Sequence, residues 1–139
     1  MKLCRLTPQQ WYFFAEDAQK VSFQARRDAH LDRIDYALLA IHTDTEKVAG
    51  FLTCREHDAE TVYWQFGGAM PGTLGTVGTY RAYQMGVAYA RERYKRITTL
   101  IENTNTPMLR LAMKAGFRIV GTQTRAGVIL VSHCLEMNP

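Results

Sequence analysis

Apolar and polar residues alternate along this chain with two different periods, and the switches between them predict an ordered series of strands and helices. Runs rich in β-branched and aromatic residues, bounded by turn-forming residues, are typical of strands. Such runs are "KLCRL", "DYALLAIHT", "KVAGFLTCRE", "TVYWQFGGAM", "RITTLIE", "FRIVGTQ" and "GVILVSHCL". The second and third are separated by "DTE" and are predicted to form a hairpin, and the fourth runs into Gly67-Gly68.

Helical spacing marks four further segments. Thr7-Pro8 reads as an N-cap followed by proline at the first helical position, ahead of a helix over residues 9–21. The segment "QARRDAHLDRI" predicts a more polar second helix, and residues 80–94 and 106–115 predict a long and a short one. The order β-α-α-β-β-β-α-β-α-β-β predicts an α+β (mixed α/β) fold. We expect a central mixed, mostly antiparallel sheet flanked by about four helices.

Composition places the chain among globular proteins and narrows the function classes. Its 139 residues are 47% hydrophobic and 22% charged, which favours one domain over residues 1–139. The chain has no apolar run near the ~20 residues that span a bilayer and no signal-like N-terminus, so a cytoplasmic protein without a membrane role is expected. Three widely spaced cysteines match neither a disulfide framework nor a metal site. The sequence contains no metal-ligand spacing and no serine or cysteine nucleophile motif, which disfavours metalloenzymes and hydrolases.

A formal net charge of +4 mildly favours an anionic partner. "RERYKR" is a basic cluster with one aromatic residue, and it is the main argument for nucleic-acid binding. Because basic residues near a helix C-terminus are favoured by the helix dipole in any case, that class is disfavoured.

The most informative stretch is "ENTNTPMLRLAMKAGFRIVG", residues 102–121. Asn105 is a predicted N-cap of the short helix, Gly116 a predicted left-handed stop, and Phe117 a predicted core residue at the start of the next strand. Taken alone, the pattern predicts only a well-capped helix between two strands.

In context, "ARERYKRITTLIENTNTPMLRLAMKAGFRIVG" resembles the second half of the GCN5-related N-acetyltransferase (GNAT) family. There a long helix and a strand precede a short helix that starts at Asn and ends in Gly-Phe, here Asn105 and Gly116-Phe117. The resemblance is specific over residues 90–121 and topological elsewhere. It implies a GNAT-like domain that transfers an acetyl group from acetyl-coenzyme A to an amine.

The resemblance also implies where the cofactor binds. In the family a Gly-rich loop before the long helix holds the pyrophosphate; here that loop is "MPGTLGTVGTYR", with Leu74 where Arg or Gln is expected. The pantetheine arm is expected along the end of the strand that carries Gly67-Gly68, and Asn105 is expected to bind the cofactor through its amide. The candidate cofactor-binding residues are Gly68, Ala69, Met70, Gly75, Thr76, Gly78, Thr79, Arg81 and Asn105. The alternative for the loop is a simple strand-to-helix turn.

The resemblance does not supply a proton donor for the departing thiolate, because Ala112 stands where the family often has a tyrosine for this role. Acetyl transfer also needs a base for the amine proton. Glu102, at the end of the strand before the short helix, is the first candidate, followed by Glu56 with its neighbour His57, and by His133 on the last strand. Each has a structural alternative: a solvated carboxylate before a helix cap, a polar strand end, or a satisfied core or surface histidine.

Ala112 and the unusual loop leave a second hypothesis open. The chain would then be a catalytically inactive acetyltransferase fold acting in binding or assembly, as in a divergent bacteriophage-type protein of the head or virion. A protein partner or a homodimer belongs to that reading. Binding of acetyl-coenzyme A separates the two hypotheses.

Overall fold

The computed structural model describes residues 1–16, 33–70 and 77–137. Seven strands form one sheet in the order β1-β2-β3-β4-β5-β7-β6. They are β1 (Lys2–Leu6), β2 (Tyr36–Ile41), β3 (Val48–Glu56), β4 (Thr61–Ala69), β5 (Arg96–Glu102), β6 (Arg118–Arg125) and β7 (Val128–Glu136). The ladders β1–β2, β2–β3, β5–β7 and β6–β7 are antiparallel, and β4–β5 is parallel. The predicted mixed, mostly antiparallel sheet is confirmed.

The described residues contain three helices, α1 (Pro8–Ala15), α2 (Val77–Arg91) and α3 (Thr106–Lys114). Thr7 and Gln10 form a capping box at the start of α1, because each side chain bonds the backbone N–H of the other. The rest of the first predicted helix, residues 17–21, and the second predicted helix, "QARRDAHLDRI", lie outside the described residues. No helix in the described ranges is both long and apolar enough to cross a membrane.

Helix α2 is displaced from its predicted bounds of residues 80–94 by three residues at each end. The C-terminal error has a visible cause. The Arg93 guanidinium donates to the carbonyl of Tyr89 (3.0 Å), and the backbone N–H of Arg93 donates to the carbonyl of Ala90, only three residues back (3.0 Å). Tyr94 has left the helix and is buried, and its hydroxyl donates to Oε1 of Glu56 at 2.8 Å. The apolar ring of Tyr94 fitted the helical period in the sequence. In the structure, the hydrogen bond to Glu56 holds its side chain outside the helix.

The chain divides into two compact units, and the prediction of one domain over residues 1–139 stays a prediction. Unit 1 comprises Met1–Arg55 and Gln65–Gly86. Its core lies between α1 and the first strands, where Trp11 and Ala15 are fully buried beside Ala37 and Leu39 of β2. The Trp11 ring lies 5.2 Å from the ring of Phe51 on β3. Burial of these apolar side chains is the main stabilising term of this unit.

Unit 2 comprises Glu56–Trp64 and Val87–Pro139. Side chains of directly opposed strand residues share a face of the sheet, so the registers define rows across it. Two rows cross β4, β5 and β7, namely Val62–Ile97–Leu135, which is buried, and Trp64–Thr99–His133, in which Thr99 is half-buried. Helix α3 is joined to this face through Phe117, whose ring lies 5.7 Å from that of Trp64. This face is the core of unit 2.

Candidate functional site

The glycines at the end of β4 allow a close approach to β3 within unit 1. A Cβ on Gly50 would lie 2.9 Å from the carbonyl oxygen of Gly68, and a Cβ on Gly68 would lie 2.9 Å from Cε1 of Phe51. Real Cβ atoms essentially never show such contacts. Gly67-Gly68 was predicted as the place of the pantetheine arm, and the structure adds that the packing of Gly68 against Phe51 on β3 leaves no room for a Cβ there.

The parallel ladder between β4 and β5 is short. It joins Thr61–Trp64 to Arg96–Thr99, and Trp64–Thr99 is its last pair. Strand β4 continues to Ala69, and β5 continues to Glu102 while it remains paired with β7. The hydroxyl of Thr99 donates to the carbonyl of Trp64 at 3.0 Å and marks the end of the ladder. This pair was not predicted from the sequence, because nothing local distinguishes Thr99 from Thr98.

Three of the predicted phosphate-binding residues, Gly78, Thr79 and Arg81, lie in the first turns of α2. The first turn of this helix contains no acidic side chain, and Arg81 is exposed. The first backbone N–H groups of a helix have no partner within it, and the dipole adds partial positive charge there. An anion is therefore electrostatically favoured at this end. Gly75 and Thr76 lie outside the described residues.

The other cofactor candidates occupy two places. Gly68 and Ala69 are the last residues of β4, and the N–H of the following Met70 donates to the carbonyl of Ala49 on β3 at 2.8 Å. Asn105 lies in unit 2, where its Oδ1 accepts a hydrogen bond from the backbone N–H of Met108 at 3.3 Å and caps α3. Capping uses one lone pair of the Asn105 amide oxygen, so its Nδ2 group is left as a donor for a ligand.

The three catalytic candidates lie at separate places in unit 2. Glu102 is exposed at the end of β5, one turn from the cap of α3, and its carbonyl accepts from the N–H of Asn105 at 3.0 Å. Glu56 is hydrogen-bonded to Tyr94, which precedes the first residue of β5, Arg96. That end of β5 lies about 20 Å along the strand from Glu102. His133 is buried in the middle of β7, opposite Thr99. The structure brings Glu102 and Asn105 together and separates Glu56 from both.

His133 has one nitrogen bonded and one without a partner. Nδ1 lies 3.0 Å from the carbonyl oxygen of Val131, which can only accept, so Nδ1 carries the proton. Nε2 is then a lone-pair acceptor. It is buried and has no hydrogen-bond partner among the described protein atoms. This arrangement is not the satisfied core histidine that was the structural alternative.

Two further buried groups are poor proton carriers near neutral pH. Burial raises the pKa of the Cys54 thiol to about 12, against a hydrogen bond from Tyr36 and the charge of Arg5, which lower it. Burial also raises the pKa of the Tyr83 phenol on α2 well above its usual value. Ala112, at the position of the expected tyrosine, is fully buried and has no proton to give.

Comparison with known proteins identifies the fold. No family model and no curated protein matches the sequence. Among solved structures, a GNAT family acetyltransferase from Elizabethkingia anophelis with acetyl-CoA bound matches with a TM-score of 0.72 at 16% identity, over 97% of each chain. An IAA acetyltransferase from Bacillus cereus matches with a TM-score of 0.70 at 15% identity, over 97% of this chain and 98% of that one. A chimera of the Vibrio cholerae spermidine N-acetyltransferase SpeG with hSSAT gives 0.74 at 11% identity, over 99% and 96%.

These likenesses extend over nearly the whole chain and define a class of fold. The protein has the fold of the GNAT acetyltransferases, as the motif around Asn105 and Gly116-Phe117 predicted. At identities of 11–16% the likeness concerns the fold, and activity must be argued from the site.

Proposed function

We propose that this protein is an N-acetyltransferase that takes its acetyl group from acetyl-coenzyme A and transfers it to an amine. The observation that carries the proposal is the short β4–β5 ladder, which ends at Trp64–Thr99 while both strands continue. Backbone N–H and C=O groups beyond the last pair require partners of their own. The amides of a pantetheine arm are partners of the right chemistry.

The residues present fit the rest of such a ligand. The first turn of α2, with its acid-free start and Arg81, suits a pyrophosphate despite the missing Arg or Gln of the preceding loop. The proposed contacts of the pantetheine arm are the backbone groups of Gly68, Ala69 and Met70. Nδ2 of Asn105 is the donor left over from the cap of α3 and would bind a carbonyl of the arm.

Glu102 is the proposed base for the incoming ammonium group. Its carboxylate is exposed at the end of β5, beside the turn that holds Asn105, and would accept the proton through water. Glu56 has a structural role instead. Its carboxylate accepts a hydrogen bond from the buried Tyr94, near the Arg96 end of β5 and far from Glu102.

Calorimetric titration with acetyl-coenzyme A and coenzyme A tests the proposal, with two variants at one position as a matched pair. Gly78→Glu adds a negative charge at the start of α2, and Gly78→Gln adds a neutral side chain of almost the same shape. Since acids stabilise a helix N-terminus, the charged variant is expected to fold. We expect micromolar binding to the native protein and the Gln variant, and at least tenfold weaker binding to the Glu variant.

Absence of both heat and thermal stabilisation at millimolar ligand would overturn the proposal. The buried Ala112 would then favour the other hypothesis, an acetyltransferase fold that has kept its architecture and acts as a binding or assembly protein. If the two Gly78 variants bound the ligand with equal affinity, binding of the ligand would still stand. The pyrophosphate would then not lie at the start of α2.

A further inference from the structure

One atom in the core of unit 2 has no structural explanation. Nε2 of His133 is buried and has no partner among the described protein atoms. An unmade hydrogen bond at a buried polar atom costs about 1–3 kcal/mol, so an apolar side chain of similar size would be expected at a purely structural position. Packing alone therefore does not explain why this core position is a histidine.

The orientation of the ring is fixed by the strand itself. The carbonyl of Val131 accepts from Nδ1–H at 3.0 Å, which holds the ring and selects the tautomer. The lone pair is consequently on Nε2, on the far side of the ring from Val131. An imidazole held this way is ready to accept a proton at one defined atom.

The neighbours of His133 within the sheet are almost entirely apolar. Its row on the sheet contains Trp64 and Thr99, and the neighbouring buried row contains only Val62, Ile97 and Leu135. On β6 the opposed residue is Ile119. The other titratable side chains of β5 and β7, such as Glu102 and Cys134, alternate to the opposite face, so none faces the imidazole from these strands.

The row of His133 is also the row in which the β4–β5 ladder ends. Trp64 and Thr99 are the last pair, and His133 lies one strand further, about 4.8 Å away in the hydrogen-bonding direction. The hydroxyl of Thr99 is already committed to the carbonyl of Trp64. Nε2 is thus a polar atom in the row at the end of the ladder that has no hydrogen-bond partner among the described protein atoms.

We propose that His133 is a catalytic residue that carries the reaction's second proton from the amine nitrogen to the sulfur of coenzyme A. This inference rests on the proposed function. As the N–C bond to the acetyl carbon forms, Nε2 accepts the remaining surplus proton of the attacking nitrogen. As the C–S bond breaks, Nε2–H donates that proton to the thiolate, and the imidazole is neutral again. The products are the amide and the free thiol, and no other reactant is needed.

A thermodynamic cycle between protein and ligand tests this contact without an acceptor. Coenzyme A and desulfo-coenzyme A differ only in the sulfhydryl group. We expect the native protein to bind coenzyme A roughly 3- to 10-fold more tightly than the desulfo compound, as a hydrogen bond from the thiol to Nε2 would give. His133→Phe should equalise the two affinities, whereas Thr99→Val, a change in the same row, should preserve the ratio.

Nuclear magnetic resonance gives an independent readout on the folded native protein. With ¹⁵N-labelled histidine, the Nε2 signal of His133 should move towards the protonated position with coenzyme A and stay unchanged with desulfo-coenzyme A. His42 and His57 serve as internal controls, and His133→Gln assigns the signal. Binding of both ligands with equal affinity and no response of Nε2 would overturn the role of His133 alone. Absence of binding of either ligand would overturn the proposed function and this inference with it.

Discussion

Asn105 has two roles that substitutions can separate, one in the fold and one in the proposed binding of the cofactor. Its Oδ1 accepts from the backbone N–H of Met108 at 3.3 Å and caps α3, while Nδ2 is the proposed donor to acetyl-coenzyme A. Asn105→Ala removes both. Asn105→Ser keeps a good capping oxygen and removes the amide, because Ser and Asn are nearly equivalent N-caps.

The magnitudes follow from the geometry. Loss of an N-cap costs about 0.5–2 kcal/mol, and the 3.3 Å bond belongs to the lower half of that range, so we expect about 0.5–1 kcal/mol for Asn105→Ala. Loss of one neutral hydrogen bond to the ligand costs about 0.5–1.5 kcal/mol, which is roughly a 2- to 13-fold rise in Kd.

Urea unfolding and calorimetric titration of the same three proteins measure both quantities. The Ala variant should lose stability and affinity, and the Ser variant should lose affinity while its free energy of unfolding stays within about 0.3 kcal/mol of the native value. If the Ser variant binds acetyl-coenzyme A as tightly as the native protein, Nδ2 makes no contact with the ligand and the assignment of Asn105 is wrong.

Three other substitutions test the packing on which the site depends. Gly68→Ala should cost about 1–3 kcal/mol in urea unfolding, because its Cβ would meet the Phe51 ring at 2.9 Å, while Gly121→Ala, with nothing within 4 Å, should stay within about 0.5 kcal/mol; equal effects would contradict the close approach. Ala112→Tyr should lower stability by about 1–3 kcal/mol or more, since Ala112 is fully buried, and an unchanged melting temperature would show that room for a tyrosine exists. The pKa of Cys54 in the folded protein, about 12, lies above its usual 9.0, so the thiol contributes fully to stability below pH 9. Between pH 9 and pH 12 the free energy of unfolding should fall by about 1.4 kcal/mol per pH unit. Cys54→Ala should show a shallower fall of this free energy over the same range, and parallel curves for the two proteins would refute the shift.

Much of α3 could be predicted because its signals are local. The cap at Asn105, the positive φ of 97° at Gly116 and the burial of Phe117 each depend on a few neighbouring residues. The hairpin of β2 and β3 was predictable for the same reason, since a short turn joins two apolar runs.

The features that the sequence did not predict depend on contacts between distant residues. Tyr94 fits a helical period, yet its hydroxyl bonds to Glu56, 38 residues away, and α2 ends before it. The row of Thr99 and His133 depends on the register of two strands that are separated along the chain by α3 and β6. Residue types alone therefore suggested His133 as a candidate, but only the register shows that it lies at the end of the β4–β5 ladder.

The buried position of Ala112 bears on how an enzyme of this fold would protonate its leaving group. The residue has no exposed surface, so a larger side chain with a proton to give would have to displace its neighbours. Under the proposed function, the thiolate is protonated by water or by a side chain of the sheet. In the row at the ladder end, the hydroxyl of Thr99 already donates to the carbonyl of Trp64, and Nε2 of His133 has no partner among the described protein atoms. Ala112 on the helix and the unpartnered imidazole of His133 in the sheet together support the proposed route of the proton to the thiolate.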